Sequence, residues 1–162
     1  QPILLGHSDG ATIALEFAAA FPEAVSAVIL MAPHVFVEQV SLDAINAANE
    51  AYANGDLREK LKRYHGANVD SAFRGWCDTW LDPNFRDWDM RPRLSNIKVP
   101  MLQLQGVNDE YGTVLQIESI NVNSGGPVTS VMLPTCGHAP HLDKADETLA
   151  EIVKFIKSLD LD

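Results

Sequence analysis

The 162-residue sequence has no apolar run long enough to cross a membrane. Its longest nearly apolar stretch, Ala24 to Pro33, is about half of the 18 or more residues that a spanning helix needs. Cysteine is scarce too: Cys77 and Cys136 lie far apart and make neither a disulfide framework nor a metal quartet, so a reducing compartment, the cytoplasm, is the expectation. Basic residues are outnumbered, 12 Lys and Arg against 22 Asp and Glu, for a net charge of -10. Phosphate backbones and anionic lipid repel such a chain, so neither nucleic acid nor a membrane is an expected partner. The opening Gln1-Pro2-Ile3-Leu4-Leu5 lacks a Met, a basic segment and a cleavage signature, and reads as a start in the middle of something. No internal repeat or low-complexity tract is present. With 46% hydrophobic and 21% charged residues, the composition is that of a globular protein of one domain's length.

Short apolar segments alternate with helical ones. Ile3 to Leu5 runs into a Gly6 turn, and Ala11 to Phe21 follows with Ile13, Phe17 and Phe21 four apart, the spacing of one helix face. Val25 to Ala32 is a nearly continuous apolar, β-branched stretch of the kind buried on both sides in a parallel sheet. Val99 to Leu104 and Val128 to Leu133 repeat the pattern, each followed by a loop and a predicted helix, Thr113 to Asn121 and Ala145 to Leu159. In the last helix Leu149, Ile152, Val153, Ile156 and Leu159 form an apolar stripe. Four strands, each with a following helical region, predict an α/β domain with a mostly parallel four-stranded sheet, built from residues 1–34 and 97–162.

Residues 35–96 hold no convincing strand and read as a helical insertion. Ser41 is the expected cap of a helix carrying Leu42, Ile45 and Tyr52, and Asp56 of one carrying Leu57, Leu61 and Tyr64. A third helix aligns Val69, Phe73, Trp76 and Trp80 before Asp82-Pro83 ends it. All three Trp of the chain, Trp88 included, and two of its six Phe fall between Phe73 and Trp88. They are either a small core of the insertion or an aromatic lid over a pocket, since apolar and aromatic walls are typical of small-molecule sites.

Gly6-His7-Ser8-Asp9-Gly10 matches G-x-S-x-G between an apolar strand and an amphipathic helix, as a nucleophile elbow requires. At so sharp a turn a side chain at Gly6 or Gly10 is expected to collide with the neighbouring strand or helix. Ser8 then sits at a helix N-terminus, where the backbone N–H of Asp9 is placed to stabilise an oxyanion.

A serine hydroxyl is a weak nucleophile at neutral pH and needs a histidine base and an acid to orient it. The third strand runs into Gly106-Val107-Asn108-Asp109 and the fourth into Thr135-Cys136-Gly137-His138. In a parallel sheet all carboxyl ends open on one edge, so Ser8, Asp109 and His138 converge by topology. Glu110 and Asp143 are rivals to Asp109, and His141 is the rival to His138. His7 is expected to point away from the nucleophile in a supporting role, His34 to line the pocket, and His65 to lie on the surface. Cys136 reads as a buried structural thiol. A metal site from His138, His141 and Asp143 lacks a helix-borne partner pattern, so no metal is expected.

The glycine-flanked serine, the Val99-Pro100-Met101-Leu102 strand leading to Asp109, and Gly137-His138-Ala139-Pro140-His141 together resemble the α/β-hydrolase fold family, in its chain order Ser, Asp, His. The stretch 35–96 falls where members often carry a cap domain. The resemblance implies a carboxylesterase-like serine hydrolase without a cofactor: Ser8 attacks a small, largely apolar ester, His138 shuttles the proton, Asp109 orients His138, and water hydrolyses the acyl-enzyme. Carbon–carbon bond hydrolysis or acyl transfer would use the same three residues. The resemblance is to the C-terminal portion only, since members have about four strands upstream of the elbow and a loop there that supplies another oxyanion donor. Weak activity is therefore one expectation, and a self-associating or partner-binding remnant is the alternative. The uncharged segment Ile3 to Leu5 would present an unpaired apolar edge, and a homodimer joined through that strand is expected.

Overall fold

The computed structural model describes residues 1–159. In chain order its elements are β1 (Ile3–His7), α1 (Asp9–Ala20), β2 (Ala27–Met31), α2 (Gln39–Asn54), α3 (Leu57–His65), α4 (Val69–Leu81), β3 (Met101–Gly106), α5 (Val114–Asn123), β4 (Val128–Leu133), α6 (Pro140–Asp143) and α7 (Ala145–Ser158). The described residues fall into two units, one of residues 1–36 with 89–159, the other of Val37–Trp88. The second unit is shorter than the insertion read from the sequence. Residues 89–96 belong with the sheet, where a 3-10 helix, Arg91–Asn96, packs on α1 and α5 with Leu94 buried.

The four strands of the first unit pair in parallel in the order β1-β2-β3-β4. Every residue of β2 and β3 is buried, as expected of parallel strands covered on both faces. Register brings the carboxyl ends together: His7 lies beside Met31, Met31 beside Leu104, and Gly106 beside Leu133. The loops after β1, β3 and β4 therefore open on one edge. On one face, Ile29, Met31, Leu102 and Leu104 pack with Leu133, Cys136 and Phe155.

Two helices turn faces to the sheet other than those expected. In α1 the buried residues are Ala11, Ala14, Leu15, Ala18 and Ala19, while Ile13, Phe17 and Phe21 are exposed. The alanines let the helix approach β1 closely, which larger side chains on that face would prevent. In α7 the inward residues are Thr148 and Phe155, flanked by Ile152 and the following Leu159, again at helical spacing. Leu149, Val153 and Ile156 face outward. Both helices carry apolar residues on more than one face, so periodicity located the helices without choosing the side.

The second unit has a core of its own. Tyr52 of α2 stacks on Phe73 of α4 with ring centroids 3.8 Å apart and an interplanar angle of 5°. The Arg74 guanidinium lies 5.4 Å from the Tyr52 ring and 5.5 Å from the Phe73 ring. Helix α2 begins two residues before the expected cap, at Gln39, and Ser41 is buried within it. Helix α3 buries none of its residues; Tyr64 is almost fully exposed. In α4 the buried stripe is Val69, Phe73, Cys77 and Trp80, so Cys77 takes the position that the spacing gave to Trp76.

Candidate functional site

The turn after β1 is held by its neighbours. The Ser8 N–H donates to the Met31 carbonyl at 2.9 Å, and the Ser8 carbonyl accepts from the N–H groups of Ala11 and Thr12. Ser8 adopts φ 54° and ψ -123°, a left-handed conformation that L-residues enter at a cost of order 1–3 kcal/mol and that recurs at functional turns. Its side chain makes no capping bond to α1, which leaves the hydroxyl for another partner. Gly6 is required sterically, because a Cβ there would overlap the Gly10 carbonyl and the Ala11 nitrogen. Gly10 is not: a Cβ at that position would meet nothing within 4 Å, contrary to the collision expected from the motif. The backbone of Gly10 lies against Gly6, but its own Cβ direction is open.

The Ser8 hydroxyl donates to His138 Nε2 at 2.8 Å, and His138 Nδ1–H donates to the Asp109 carboxylate at 2.9 and 3.0 Å. The Asp109 side chain is 2% exposed and that of His138 13%. Asp109 Oδ1 also accepts from the backbone N–H groups of Tyr111, at 2.8 Å, and Gly112, at 3.2 Å. Burial by itself would raise the Asp109 carboxyl, but the His138 hydrogen bond and charge and the two N–H donors outweigh it and hold it below the usual carboxylate value. An ionised carboxylate at one end of this line favours a ring proton on Nδ1. Nε2 is then left to accept from Ser8, so the arrangement can carry a proton between serine and histidine.

The loop carrying His138 crosses directly over the end of β3. A Cβ on Gly106 would overlap the carbonyl oxygens of both Cys136 and Gly137. The Asn108 N–H donates to the Cys136 carbonyl at 2.9 Å, and the Gly137 N–H to Asp143 Oδ2 at 2.8 Å. Asp143, a rival for the orienting acid, thus braces the loop. Glu110 Oε2 lies near the Gly137 backbone rather than bonding to His138. His141 is exposed and packs its ring edge-on against His7, centroids 4.7 Å apart; it makes no hydrogen bond to Ser8.

His34 is buried at the end of β2, with its ring centroid 5.6 Å from that of His138. His65 is exposed at the end of α3. Burial raises the thiols of Cys136 and Cys77 above their usual range, away from the reactive thiolate. Among the described residues, no group of three or more His, Cys, Asp or Glu side chains is arranged to hold a metal ion.

Phe73, Trp76, Trp80 and Trp88, the expected pocket walls, all lie in the second unit. There Phe73 meets Trp76 edge-on, and Trp80 packs edge-on against Phe85 and Trp88. Trp80 also lines a cleft of about 220 Å³ with Leu42, Asn46, Pro83 and Arg86.

Sequence reasoning passed over three contributors. Tyr111 supplies a backbone donor to Asp109 and places its ring 4.7 Å from that of His138. Gly106 gives the histidine loop room to cross. Gln105, buried in β3, donates to the carbonyls of Gly112 at 2.7 Å and Thr113 at 3.2 Å, tying down the loop that cups Asp109. Two glutamines alternating through an otherwise apolar strand, Met101-Leu102-Gln103-Leu104-Gln105, were the available signal.

A family model described as alpha/beta hydrolase fold matches residues 1–111. No curated protein matches the chain. Among solved structures, a membrane phospholipase A, described as a bacterial virulence factor, aligns with 98% of this chain at a TM-score of 0.73 and 23% identity. A proline iminopeptidase from Mycobacterium smegmatis aligns with 98% at 0.69 and 18% identity. An esterase from Rhodococcus sp. aligns with 97% at 0.64 and 19% identity. The chain spans 57% of the length of the first and 65% of each of the others. At these identities the likeness is one of fold, and the three differ in substrate.

Proposed function

The chain belongs to the alpha/beta hydrolase fold family, and from that premise we propose that it is a serine hydrolase acting on small carboxylic esters, with Ser8 as nucleophile, His138 as base and Asp109 as orienting acid. The observation that carries this reading is the hydrogen-bonded line from Ser8 through His138 to Asp109 at the shared carboxyl edge of the sheet. Ser8 Oγ attacks the ester carbonyl as its proton passes to His138 Nε2, forming a C–O bond and a tetrahedral oxyanion. The Asp9 N–H, in the first turn of α1, donates to that oxyanion. Collapse breaks the ester C–O bond, and His138 returns its proton to the departing alkoxide. Water then attacks the acyl-serine, giving a proton to His138 and receiving the acyl group. The acyl–Oγ bond breaks, and the proton goes back to Ser8. Every step uses groups of the first unit and needs no cofactor.

An assay with an aryl acetate or butyrate tests the reading. Ser8→Ala and His138→Ala abolish hydrolysis, and His141→Ala leaves it. Loss with His141→Ala and retention with His138→Ala would reverse the assignment of the base. One observation favours self-association in addition: β1 is an edge strand of this sheet, and Leu5 on it is 54% exposed. Two copies pairing that strand would cover it.

A further inference from the structure

We propose that His7 is a positioning residue that sets the distance between Ser8 and His138, an inference that rests on the serine-hydrolase reading. His7 is the last residue of β1 and immediately precedes Ser8. Its Nε2 lies 2.7 Å from the backbone carbonyl oxygen of His138. A carbonyl only accepts, so Nε2 carries the proton and donates it. Burial lowers the His7 pKa, which favours the neutral ring without removing that donor.

The place of this bond in the fold gives it its weight. Ser8 follows β1 and His138 follows β4, and these are the two opposite edges of the sheet. The loop after β4 must therefore pass back over β3 and β2 to bring the imidazole to the serine. Its other attachments lie short of that goal. The Asn108 N–H holds Cys136 at the end of β3 where Gly106 leaves room for it, Asp143 braces Gly137 from the helix that follows, and Asp109 takes the His138 ring from the β3 side. Apart from the reacting pair, the direct hydrogen bond between the His138 residue and the strand that bears Ser8 is the one from His7. The His7 ring itself lies 5.2 Å from that of His138, centroid to centroid. Without the His7 donor, the backbone at 138 is free to withdraw toward β3, and the 2.8 Å reach from Nε2 to Ser8 lengthens. A misplacement of about 1 Å at a reacting pair costs about 10²-fold in rate.

Three substitutions separate this role from simple packing. The amide nitrogen of Gln reaches about as far as Nε2 of histidine, that of Asn stops short, and Leu has no donor. The measurement is the rate of Ser8 modification by a fluorophosphonate and the kcat and KM for an aryl acetate, with near-ultraviolet circular dichroism to confirm folding. The expected result is that His7→Gln stays within about threefold of wild type, while His7→Asn and His7→Leu fall about 10²-fold in kcat and labelling rate with KM little changed. Equal rates in all three variants would overturn the proposal. So would equal losses in all three, since the residue would then matter for its volume and not for its donor. If Ser8 of the wild-type chain is not labelled at all, the serine-hydrolase reading itself fails and takes this role with it, an outcome distinct from labelling that ignores position 7.

Discussion

Adding one methyl group at Gly106 is the substitution for which the structure gives the most specific consequence. The new Cβ would overlap the carbonyl oxygens of Cys136 and Gly137 together, and both belong to backbone, so no side-chain rotation relieves it. Restoring van der Waals distance moves the histidine loop by about 1 Å, a displacement comparable to the tolerance of a reacting pair. The Ser8–His138 hydrogen bond at 2.8 Å and the Asn108–Cys136 bond at 2.9 Å are then stretched together. Gly106→Ala is expected to lower kcat/KM for an aryl acetate about 10²-fold, equivalent to about 2.7 kcal/mol of barrier, and to lower Tm as well. Gly10→Ala is the matched control. Its Cβ meets nothing within 4 Å, and within α1 alanine is favoured over glycine by about 0.5–1 kcal/mol, so activity is retained and Tm does not fall. Gly106→Ala with wild-type activity and Tm, or Gly10→Ala as damaging as Gly106→Ala, would refute the steric reasoning.

The Asp109 carboxyl is held below its usual value, so its protonation is expected to depress log kcat/KM only in acid below the ordinary carboxylate range; a limb at the ordinary carboxylate value that Asp109→Asn removes would contradict this. Shifts of this kind also act on stability. His7 has a folded pKa below its unfolded value near 6.5, so the unfolded chain binds more protons, and urea-unfolding free energy falls as pH drops through that range, an effect that His7→Gln removes. Phe73→Ala is expected to destabilise the second unit by about 3–5 kcal/mol while leaving the acetate-to-butyrate rate ratio unchanged; an altered ratio with unchanged Tm would favour the pocket-wall role instead. Sedimentation of the 162-residue chain should find a dimer that Leu5→Lys disperses, and a monomer at all concentrations would remove the edge-pairing idea.

What could be read from the sequence was what depends on local pattern and chain order. The runs Val25 to Ala32 and Val99 to Leu104 contain or overlap the buried strands Ala27–Met31 and Met101–Gly106, and a residue just past the end of a parallel strand lies at a shared edge whatever the packing. Ser8, Asp109 and His138 could therefore be grouped without any distance. Faces were harder. Ile13, Phe17 and Phe21 have helical spacing, yet α1 turns its alanines inward, because closeness to β1 at Gly6 selects small side chains and hydrophobicity alone does not report closeness. The stripe expected in α7 began at Leu149 and left out Phe155, yet Phe155 is the residue that packs with Leu102 and Leu104 of β3. Gly10 was given a steric duty by the motif that belongs to Gly6 alone. The His7 donor and the crossing at Gly106 are contacts between residues 131 and about 30 positions apart, set by the path of a loop that no periodicity describes.

The most direct test of the account is to treat the folded chain with a fluorophosphonate and locate the adduct by peptide mass spectrometry. The account predicts a single modified residue, Ser8, with labelling lost in Ser8→Ala, strongly slowed in His138→Ala and undiminished in His141→Ala. An unmodified Ser8, or an adduct elsewhere that persists in Ser8→Ala, would contradict it.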